Sequence, residues 1–364
     1  MKNRQISLDQ KRISLPKLTY EYFSPSGLKK GNNLTNSSRI IIKEAEKHGI
    51  TWKIIPGTEI ISLTYKGQEK SYHHQVPSSC TALAHYICRN KKITNNLLQQ
   101  AGINAPKSYH INQDSDKKYL RDIFEKLKKP LVVKPLSGTW GENITLDLNS
   151  FDKYLEAIRL AFAYSRGKKT GAVIEEMFTG EEYRILATRE KVIGVVKRIP
   201  ANVIGDGKNN IKQLIKIKNQ EDIRGEKGSN RSHLKIRIDK KLKEYLEEQK
   251  LDLENIPKKG KRVFLRKVSN ISQGGDAIDF TDQIHSSVKE IAIKAIRTIP
   301  GLSFAGIDFM STDVSKKQNK DSYVIIEIND SPGFDIHDYP YEGKNRHAAR
   351  EFLYLLFPEL ERVK

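Results

Sequence analysis

The stretch from Ser303 to Gly333 constrains the fold most, because it places carboxylates inside two short apolar runs. Asp308 and Glu327 each lie between two apolar residues, and a polar loop separates the two runs. This pattern predicts a β-hairpin. An isolated ionised carboxylate in such surroundings costs several kcal/mol or has a strongly shifted pKa. A bound cation would remove that cost.

Side-chain alternation along a strand predicts that Glu327 and Asn329 point to the same face, where Asp308 of the neighbouring strand can join them. Three oxygen-bearing side chains on one patch suit a hard cation such as Mg²⁺, with Mn²⁺ as a second candidate. The alternative is a pair of edge-strand acids that face solvent. Asp330 is predicted to be a turn residue that leads into the following Ser-Pro-Gly.

The composition narrows the class of protein. No apolar run in the 364 residues approaches the roughly 20 that span a bilayer, and the first residues lack the apolar core of a signal peptide. Cys80 and Cys88 are too few for a disulfide framework. We therefore expect a cytoplasmic globular protein.

The net charge of +20 would suit a nucleic acid or another polyanion as partner. However, the lysines are spread along the chain, and small anions would fit a positive site equally well. Nucleic acid is therefore not the expected partner.

Apolar spacing and Gly/Pro punctuation predict an α+β (α/β) fold without internal repeats. We divide the chain into a basic extension at 1–36, a small α/β lobe at 37–110, a subdomain at 111–200 and a second subdomain at 201–364. A polar insertion at 219–260 interrupts the last of these and could cover a site. Within these regions, Ser38 is expected to cap the first helix, and 263–275 is expected to be a strand that runs into a Gly-Gly loop.

Lys134 ends a predicted buried strand, directly before Pro135 and a glycine-containing loop. A lysine at this place projects from the edge of the sheet. The loop offers backbone N–H groups and hydroxyls that can hold phosphates, but it lacks the ending of a P-loop, and it could also be only a turn. Its residues are Ser137, Gly138, Thr139, Trp140, Gly141, Glu142 and Asn143.

Acidic residues cluster around Phe178, just past another predicted buried strand. Glu175, Glu176 and Glu182 could accept the ribose hydroxyls and the adenine amino group of a nucleotide, or they could form a solvated turn. Arg266 could grip a phosphate or carboxylate with two hydrogen bonds, or it could be a surface cation. No Ser–His–acid order is present in the sequence, and neither cysteine has a base near it.

Taken together, these features resemble the ATP-grasp superfamily of carboxylate–amine ligases. The segments that carry the likeness are VFLRKVSNISQGGDAIDFTDQIH, FAGIDFM and IIEINDSPGFDIH. The sequence is similar, over roughly residues 37 to 357, to the ATP-grasp parts of cyanophycin synthetase and of the bifunctional glutamate–cysteine ligase/glutathione synthetase. The resemblance implies an ATP-grasp fold in which ATP lies between two α+β subdomains.

The resemblance also implies roles for individual residues. Asp308, Glu327 and Asn329 would bind Mg²⁺, and Arg266 and Lys134 would act in catalysis. Weaker substrate assignments fall on Arg224, Arg231, Asn270, Gly274 and Gly275. ATP would contact Lys91, Lys134, Ser137, Gly138, Thr139, Gly141, Glu142, Asn143, Glu175, Glu176, Phe178 and Glu182.

The implied reaction joins the carboxylate of an amino acid or peptide to an amine through an acylphosphate, with release of ADP and phosphate and without a protein nucleophile. The relatives have additional domains, so we expect a standalone ligase with small-molecule or peptide substrates, and a homodimer would be compatible with it. The alternatives are a glutathione synthetase-like enzyme and a non-catalytic ATP- or polyanion-binding protein. The intact set of Lys134, Arg266, Asp308, Glu327 and Asn329 favours an enzyme.

Overall fold

The structure, a computed structural model, describes residues 34–136, 143–164 and 171–363. Most of the predicted 1–36 extension and the loop residues 137–142 lie outside the described residues. Within the described ranges, none of the helices has both the length and the apolar character needed to cross a membrane.

A helix and a four-stranded antiparallel sheet form the N-terminal lobe, with the strands in sequence order. Apolar residues of this lobe share one core with the last helix of the chain, so the two ends of the described chain pack together. The elements of the lobe are α1 (Asn36–Lys47), β1 (Thr51–Ile54), β2 (Ile60–Tyr65), β3 (Gln68–His73) and β4 (Val76–Pro77).

Thr35 caps α1, so the expectation that Ser38 would do so is wrong. The Thr35 side chain accepts a hydrogen bond from the backbone N–H of Ser38 at 3.1 Å. Ser38 is the third residue of the helix, and its backbone N–H is the donor that the cap satisfies. The buried Ser38 hydroxyl instead donates to the carbonyl of His74 at 3.1 Å, which ties α1 to the end of β3.

Two short helices and a second four-stranded sheet follow. Asn90 separates the two helices, and its side chain caps the second one. The sheet is antiparallel with the order β5-β8-β6-β7, and its two helices pack on it around one apolar core. The elements are α2 (Ala82–Cys88), α3 (Lys91–Gln100), β5 (Ser108–Ile111), α4 (Lys117–Lys126), β6 (Leu131–Pro135), β7 (Thr145–Leu148), α5 (Phe151–Tyr164) and β8 (Ala172–Glu176).

A hairpin of β9 (Glu181–Thr188) and β10 (Val192–Ile199) leads into a small module, and the predicted insertion lies within it. The module has its own apolar core, which is built from residues between Ala201 and Leu265. Its elements are β11 (Asn202–Ile204), α6 (Ile211–Lys218), β12 (Arg224–Gly225), β13 (His233–Leu234), α7 (Lys240–Glu248) and β14 (Arg262–Phe264).

The strand predicted to begin at 263 is present but much shorter than expected, because β14 ends at Phe264. Asn270 caps a 3-10 turn by accepting from the backbone N–H of Ser272, and Gly274 ends the turn with a φ of 92°. A positive φ of this kind interrupts a strand and favours glycine. At Gly275, an added Cβ would lie 2.7 Å from the carbonyl oxygen of Ile199, so the chain passes close to β10 there.

The central sheet has five antiparallel strands in the order β15-β10-β9-β16-β17. One face packs against α8 together with α2 and α3. The pairing of β16 with β17 confirms the hairpin predicted for 303–333. The remaining elements are β15 (Asp276–Asp279), α8 (Ser286–Thr298), β16 (Phe304–Ser311), β17 (Tyr323–Asn329), α9 (Asp335–Asp338) and α10 (Ala348–Leu356).

Candidate active site

The candidate site lies on the face of the central sheet opposite α8. Tyr183 and Ile307 pack toward α8, so their strand neighbours point to the other side. The register places Asp308 opposite Glu327 on β17 and opposite Arg184 on β9, and it places Gly306 opposite Asn329. The three predicted metal ligands therefore share one face.

Two arginines converge on Asp308, and sequence reasoning did not single out either. Arg184 donates through Nη1 to Asp308 Oδ1 at 2.6 Å and to the carbonyl of Gly306 at 3.3 Å. The Arg198 Nη1 lies 3.4 Å from the same Asp308 oxygen and donates to Glu182 Oε1 at 2.7 Å. Both arginines are therefore held on the predicted metal face.

Gly306 makes room for this arrangement. A Cβ at that position would lie 3.1 Å from the Cζ and Nε atoms of Arg184. The Nε atoms of Arg184 and Arg198 are buried, and within the described part of the chain they have no hydrogen-bond partner. Buried donors without a partner are costly, and the Nε atom of Arg266 is in the same state.

The two predicted phosphate-binding lysines lie beside acids of the site. Lys134 is buried and donates to Glu175 Oε2 at 2.5 Å, and Lys91 Nζ lies 3.4 Å from Glu327 Oε2. Burial lowers the pKa of the Lys134 ammonium, and the neighbouring Glu175 carboxylate opposes this effect. Glu175 therefore serves as the counter-charge of Lys134 in the described structure.

The other predicted nucleotide contacts lie apart, at the end of β8, in the following turn and at the start of β9. Glu176 accepts from the backbone N–H of Lys128 at 3.1 Å, and Phe178 is half-buried. Glu182 accepts from Arg198 and, through a short contact, from the hydroxyl of Ser269. The structure thus places Glu182 beside the arginine pair, which is formed by Arg184 and Arg198. The nucleotide roles of Glu176, Phe178 and Glu182 stay predictions, as does that of Asn143. The loop residues Ser137, Gly138, Thr139, Gly141 and Glu142 lie outside the described residues.

Arg266 is engaged by Asp239 of the small module. The two Nη atoms of Arg266 lie 2.8 and 2.7 Å from the two carboxylate oxygens of Asp239. Burial alone would raise the pKa of Asp239, but the hydrogen bonds from Arg266 and the Leu242 amide lower it. Asp239 also caps α7, so the pair ties Arg266 to the start of that helix. The catalytic role of Arg266 stays a prediction.

The weaker substrate candidates are mostly occupied by contacts within the chain. Arg224 is fully buried and forms an ion pair with Asp276, and its Nη1 donates to the carbonyl of Gly274 at 3.1 Å. Asp276 also accepts from Asn202 at 2.8 Å and from Lys218 at 2.7 Å. This buried cluster joins the small module to β15. It gives Arg224 a structural task, and its substrate role stays a prediction.

The remaining weaker candidates lie near this cluster. Arg231 donates to the side chain of Asn230 at 3.1 Å, and the side-chain oxygen of Asn270 caps the 3-10 turn. A Cβ at Gly274 would lie 2.7 Å from Ile236, so this glycine is needed for close packing. The substrate roles of Arg231, Asn270, Gly274 and Gly275 stay predictions.

Asp330 is more than the turn residue that the sequence suggested. It is only 3% exposed, and its Oδ2 lies 2.5 Å from Nδ1 of His85 on α2. Together with the Lys91–Glu327 contact, this pair ties the corner between α2 and α3 to the end of β17.

Neither cysteine of the chain is suited to nucleophilic attack. Burial raises the pKa of the Cys80 thiol to about 11 and that of Cys88 to about 12, with Asp330 adding to both effects. The thiolate is the nucleophilic form, so both residues stay unreactive near neutral pH.

The donors on this face fit a hard cation and a polyphosphate. Asp308 and Glu327 offer carboxylates that are 16% and 30% exposed, and Asn329 offers an amide oxygen. Such oxygen ligands suit Mg²⁺, which commonly takes phosphate oxygens as further ligands. Lys91, Lys134 and the arginine pair supply the positive charge that phosphate and carboxylate groups require.

Comparison with known proteins identifies the family. The ATP-grasp domain model matches residues 88–332. The chain is 36% identical over 330 residues to the glutathione biosynthesis bifunctional protein GshAB of Clostridium perfringens, which covers 89% of this chain and 41% of that protein. It is 32% identical over 359 residues to the cyanophycin synthetase of Crocosphaera subtropica, which covers 96% of this chain and 40% of that protein.

A solved structure of a related protein supports the same family. The chain is similar to a bifunctional glutathione synthetase from Pasteurella multocida, with a TM-score of 0.71 and 29% identity over 90% of this chain and 44% of that one. The chain spans about two fifths of the length of the curated relatives it matches. ATP-grasp ligases in general use ATP and divalent metal ions. Because the family model covers more than half of the sequence, this chain belongs to the ATP-grasp family and has its α+β fold.

Proposed function

We propose that the protein is an ATP-dependent ligase that forms an amide bond between the carboxylate of an amino acid or peptide and an amine. The observation that carries the proposal is the single face on which Asp308, Glu327 and Asn329 lie beside Arg184 and Arg198. A cation site next to two guanidinium groups would support transfer of a phosphoryl group to a carboxylate.

Asp308, Glu327 and Asn329 would hold Mg²⁺, with Mn²⁺ as a substitute, and the ion would neutralise charge on the phosphates when bound. Lys91 and Lys134 would hold the phosphate oxygens of ATP. Because Lys91 already lies 3.4 Å from Glu327, it is close to the proposed cation ligands as well.

The arginine pair would orient the acceptor. A carboxylate oxygen of the first substrate attacks the γ-phosphorus, the bond to ADP breaks, and an acylphosphate forms. The guanidinium groups of Arg184 and Arg198 would hold the acceptor carboxylate or the transferred group. The amine then attacks the acyl carbon, the carbon–oxygen bond to phosphate breaks, and the amine releases a proton. We assign this role to the arginine pair because both arginines lie beside the proposed cation ligand Asp308, whereas Arg266 pairs with Asp239 of the small module.

A narrower version of the proposal is a glutathione synthetase-like ligase. The 36% identity to a glutathione biosynthesis protein and the TM-score of 0.71 to a bifunctional glutathione synthetase favour it. We also propose a cytoplasmic location, since the reaction uses ATP and both cysteines are free thiols.

The test is a screen for phosphate release with ATP, Mg²⁺ and a panel of amino acids and dipeptides as acids and amines. Mass spectrometry of the products would identify the new amide and show whether glutathione is among them. Release that needs ATP and both substrates supports the ligase. ATP binding without turnover across the panel would show a non-catalytic binder instead. For a polyanion-binding protein, nucleic-acid affinity should fall steeply with salt, and a flat salt response would exclude that function.

A further inference from the structure

A histidine pair and a glutamate meet at one edge of the N-terminal lobe. One ligand atom from each of Glu59, His73 and His74 lies within 4.8 Å of the other two. His74 Nε2 is 3.2 Å from Glu59 Oε2, and the two imidazole rings have centroids 4.1 Å apart. Two imidazoles and one carboxylate form a donor set typical of zinc and related transition metals.

The backbone brings these side chains together against the usual rule for a strand. Consecutive strand residues point to opposite faces, but His74 leaves β3 with a φ of 55°, which is uncommon for a residue other than glycine. Ile60 pairs with His73 across β2 and β3, so Glu59 lies next to His74. The unusual conformation therefore collects three ligands that a regular strand would separate.

Contacts that do not involve the three side chains fix this backbone. The Ser38 hydroxyl donates to the carbonyl of His74 at 3.1 Å. The next residue, Gln75, is buried and donates to the side chain of Thr35 at 2.8 Å. An ion would therefore need only side-chain rotations, because the backbone is already in place.

The charge and exposure of the cluster also suit a cation. The Glu59 carboxylate lies beside His74 and offsets the positive charge of Arg89, which also acts on this histidine. The side chains of His74 and Glu59 are 38% and 43% exposed and His73 is exposed, so an ion can reach them from solvent.

We propose that Glu59, His73 and His74 bind one divalent transition-metal ion, with Zn²⁺ as the favoured ion, at a site separate from the oxygen ligands of the central sheet. Imidazole nitrogens select Zn²⁺ over Mg²⁺, and three protein ligands leave a position for water. A bound ion would join the residue before β2 to the end of β3 and so stabilise the lobe.

The test is calorimetric titration of the full chain with ZnCl₂ in the presence of saturating Mg²⁺, which occupies the oxygen site. We expect one zinc ion per chain and a melting temperature that rises with zinc concentration. His73→Asn and His74→Asn should each abolish both effects, and asparagine tolerates the positive φ of His74. His48→Asn is the matched control. It removes the histidine of another His–Glu pair in the lobe, at 3.5 Å from Glu44, and should leave zinc binding unchanged.

Absence of stoichiometric zinc binding under these conditions would overturn the proposal. Zinc binding that persists in His74→Asn would do the same. A third arm uses Glu327→Gln, which removes a candidate ligand of the central sheet. If this variant loses the zinc equivalent while His74→Asn retains it, zinc binds at the sheet and the lobe site is wrong.

Discussion

Glu327→Gln is the substitution that tests the proposed active site most directly. It keeps the size of the side chain and removes one negative charge from the predicted cation ligands. Loss of one electrostatic contact at a reacting centre typically costs about 100-fold or more in turnover. This corresponds to about 2.7 kcal/mol of transition-state stabilisation. We therefore expect turnover to fall at least that far and Mg²⁺·ATP binding to weaken.

The expected effect on stability is much smaller. Glu327 and Lys91 are 30% and 35% exposed and 3.4 Å apart, so solvent screens their interaction. Exposed pairs of this kind contribute about 0.5 kcal/mol or less. For a chain of this size the melting temperature should therefore change by only about 1–2 °C. The effects on catalysis and on folding can thus be told apart.

The assay is phosphate release at saturating ATP and substrates across a Mg²⁺ series, together with calorimetric nucleotide binding and a thermal scan. Glu351→Gln is the matched control, because it removes the part-exposed Lys191–Glu351 ion pair at 2.5 Å and should leave turnover unchanged. Wild-type turnover with an unchanged Mg²⁺ dependence in Glu327→Gln would refute the metal assignment. A drop of many degrees in melting temperature would show that Glu327 has a structural role instead.

Three further predictions follow from the structure. Arg184→Gln should lower kcat by about 100-fold, because this arginine is assigned to the acceptor carboxylate. ATP affinity, measured by calorimetry, should stay nearly unchanged, and an equal loss of ATP affinity would contradict the assignment. Lys134→Met should lower the free energy of unfolding, measured in urea, by about 3–5 kcal/mol, because it leaves Glu175 buried without a partner. Adding Glu175→Gln to this variant should restore stability but not ATP binding. Burial lowers the pKa of His233 to about 3. The imidazole therefore stays neutral in the native state at pH values at which it takes up a proton in the unfolded chain. Stability should therefore fall as pH drops below about 6.5, with this histidine contributing about 1.4 kcal/mol per pH unit, and His233→Gln should reduce that slope in unfolding measured from pH 7 to 4.

Part of the site could be predicted from local pattern alone. Asp308 and Glu327 stand out because each is an acid inside an apolar run. Side chains alternate between the two faces of a strand, which predicts that Asn329 lies on the same face as Glu327. The position of Lys134 at the end of a buried strand was equally visible. These inferences hold because strand geometry repeats every two residues and depends only on neighbours in the chain.

Other inferences failed or were missed because they depend on distant partners. The Arg184–Asp308 contact joins residues 124 positions apart, and only the order of β9, β16 and β17 creates it. The end of β14 at Phe264 coincides with the start of its partner strand β11, because Phe264 pairs with Asn202. A residue pattern does not show which of several arginines will meet a given carboxylate.

The sequence by itself determined the hairpin with its two carboxylates and a motif order that resembles a ligase family. Only the tertiary structure decided the partners of the charged groups. It paired Arg266 with Asp239, Arg224 with Asp276 and Asp330 with His85, and it brought Arg184 and Arg198 to Asp308. The physical reason is that alternation fixes the face on which a side chain lies, whereas the order and register of strands far apart in sequence fix what it meets there.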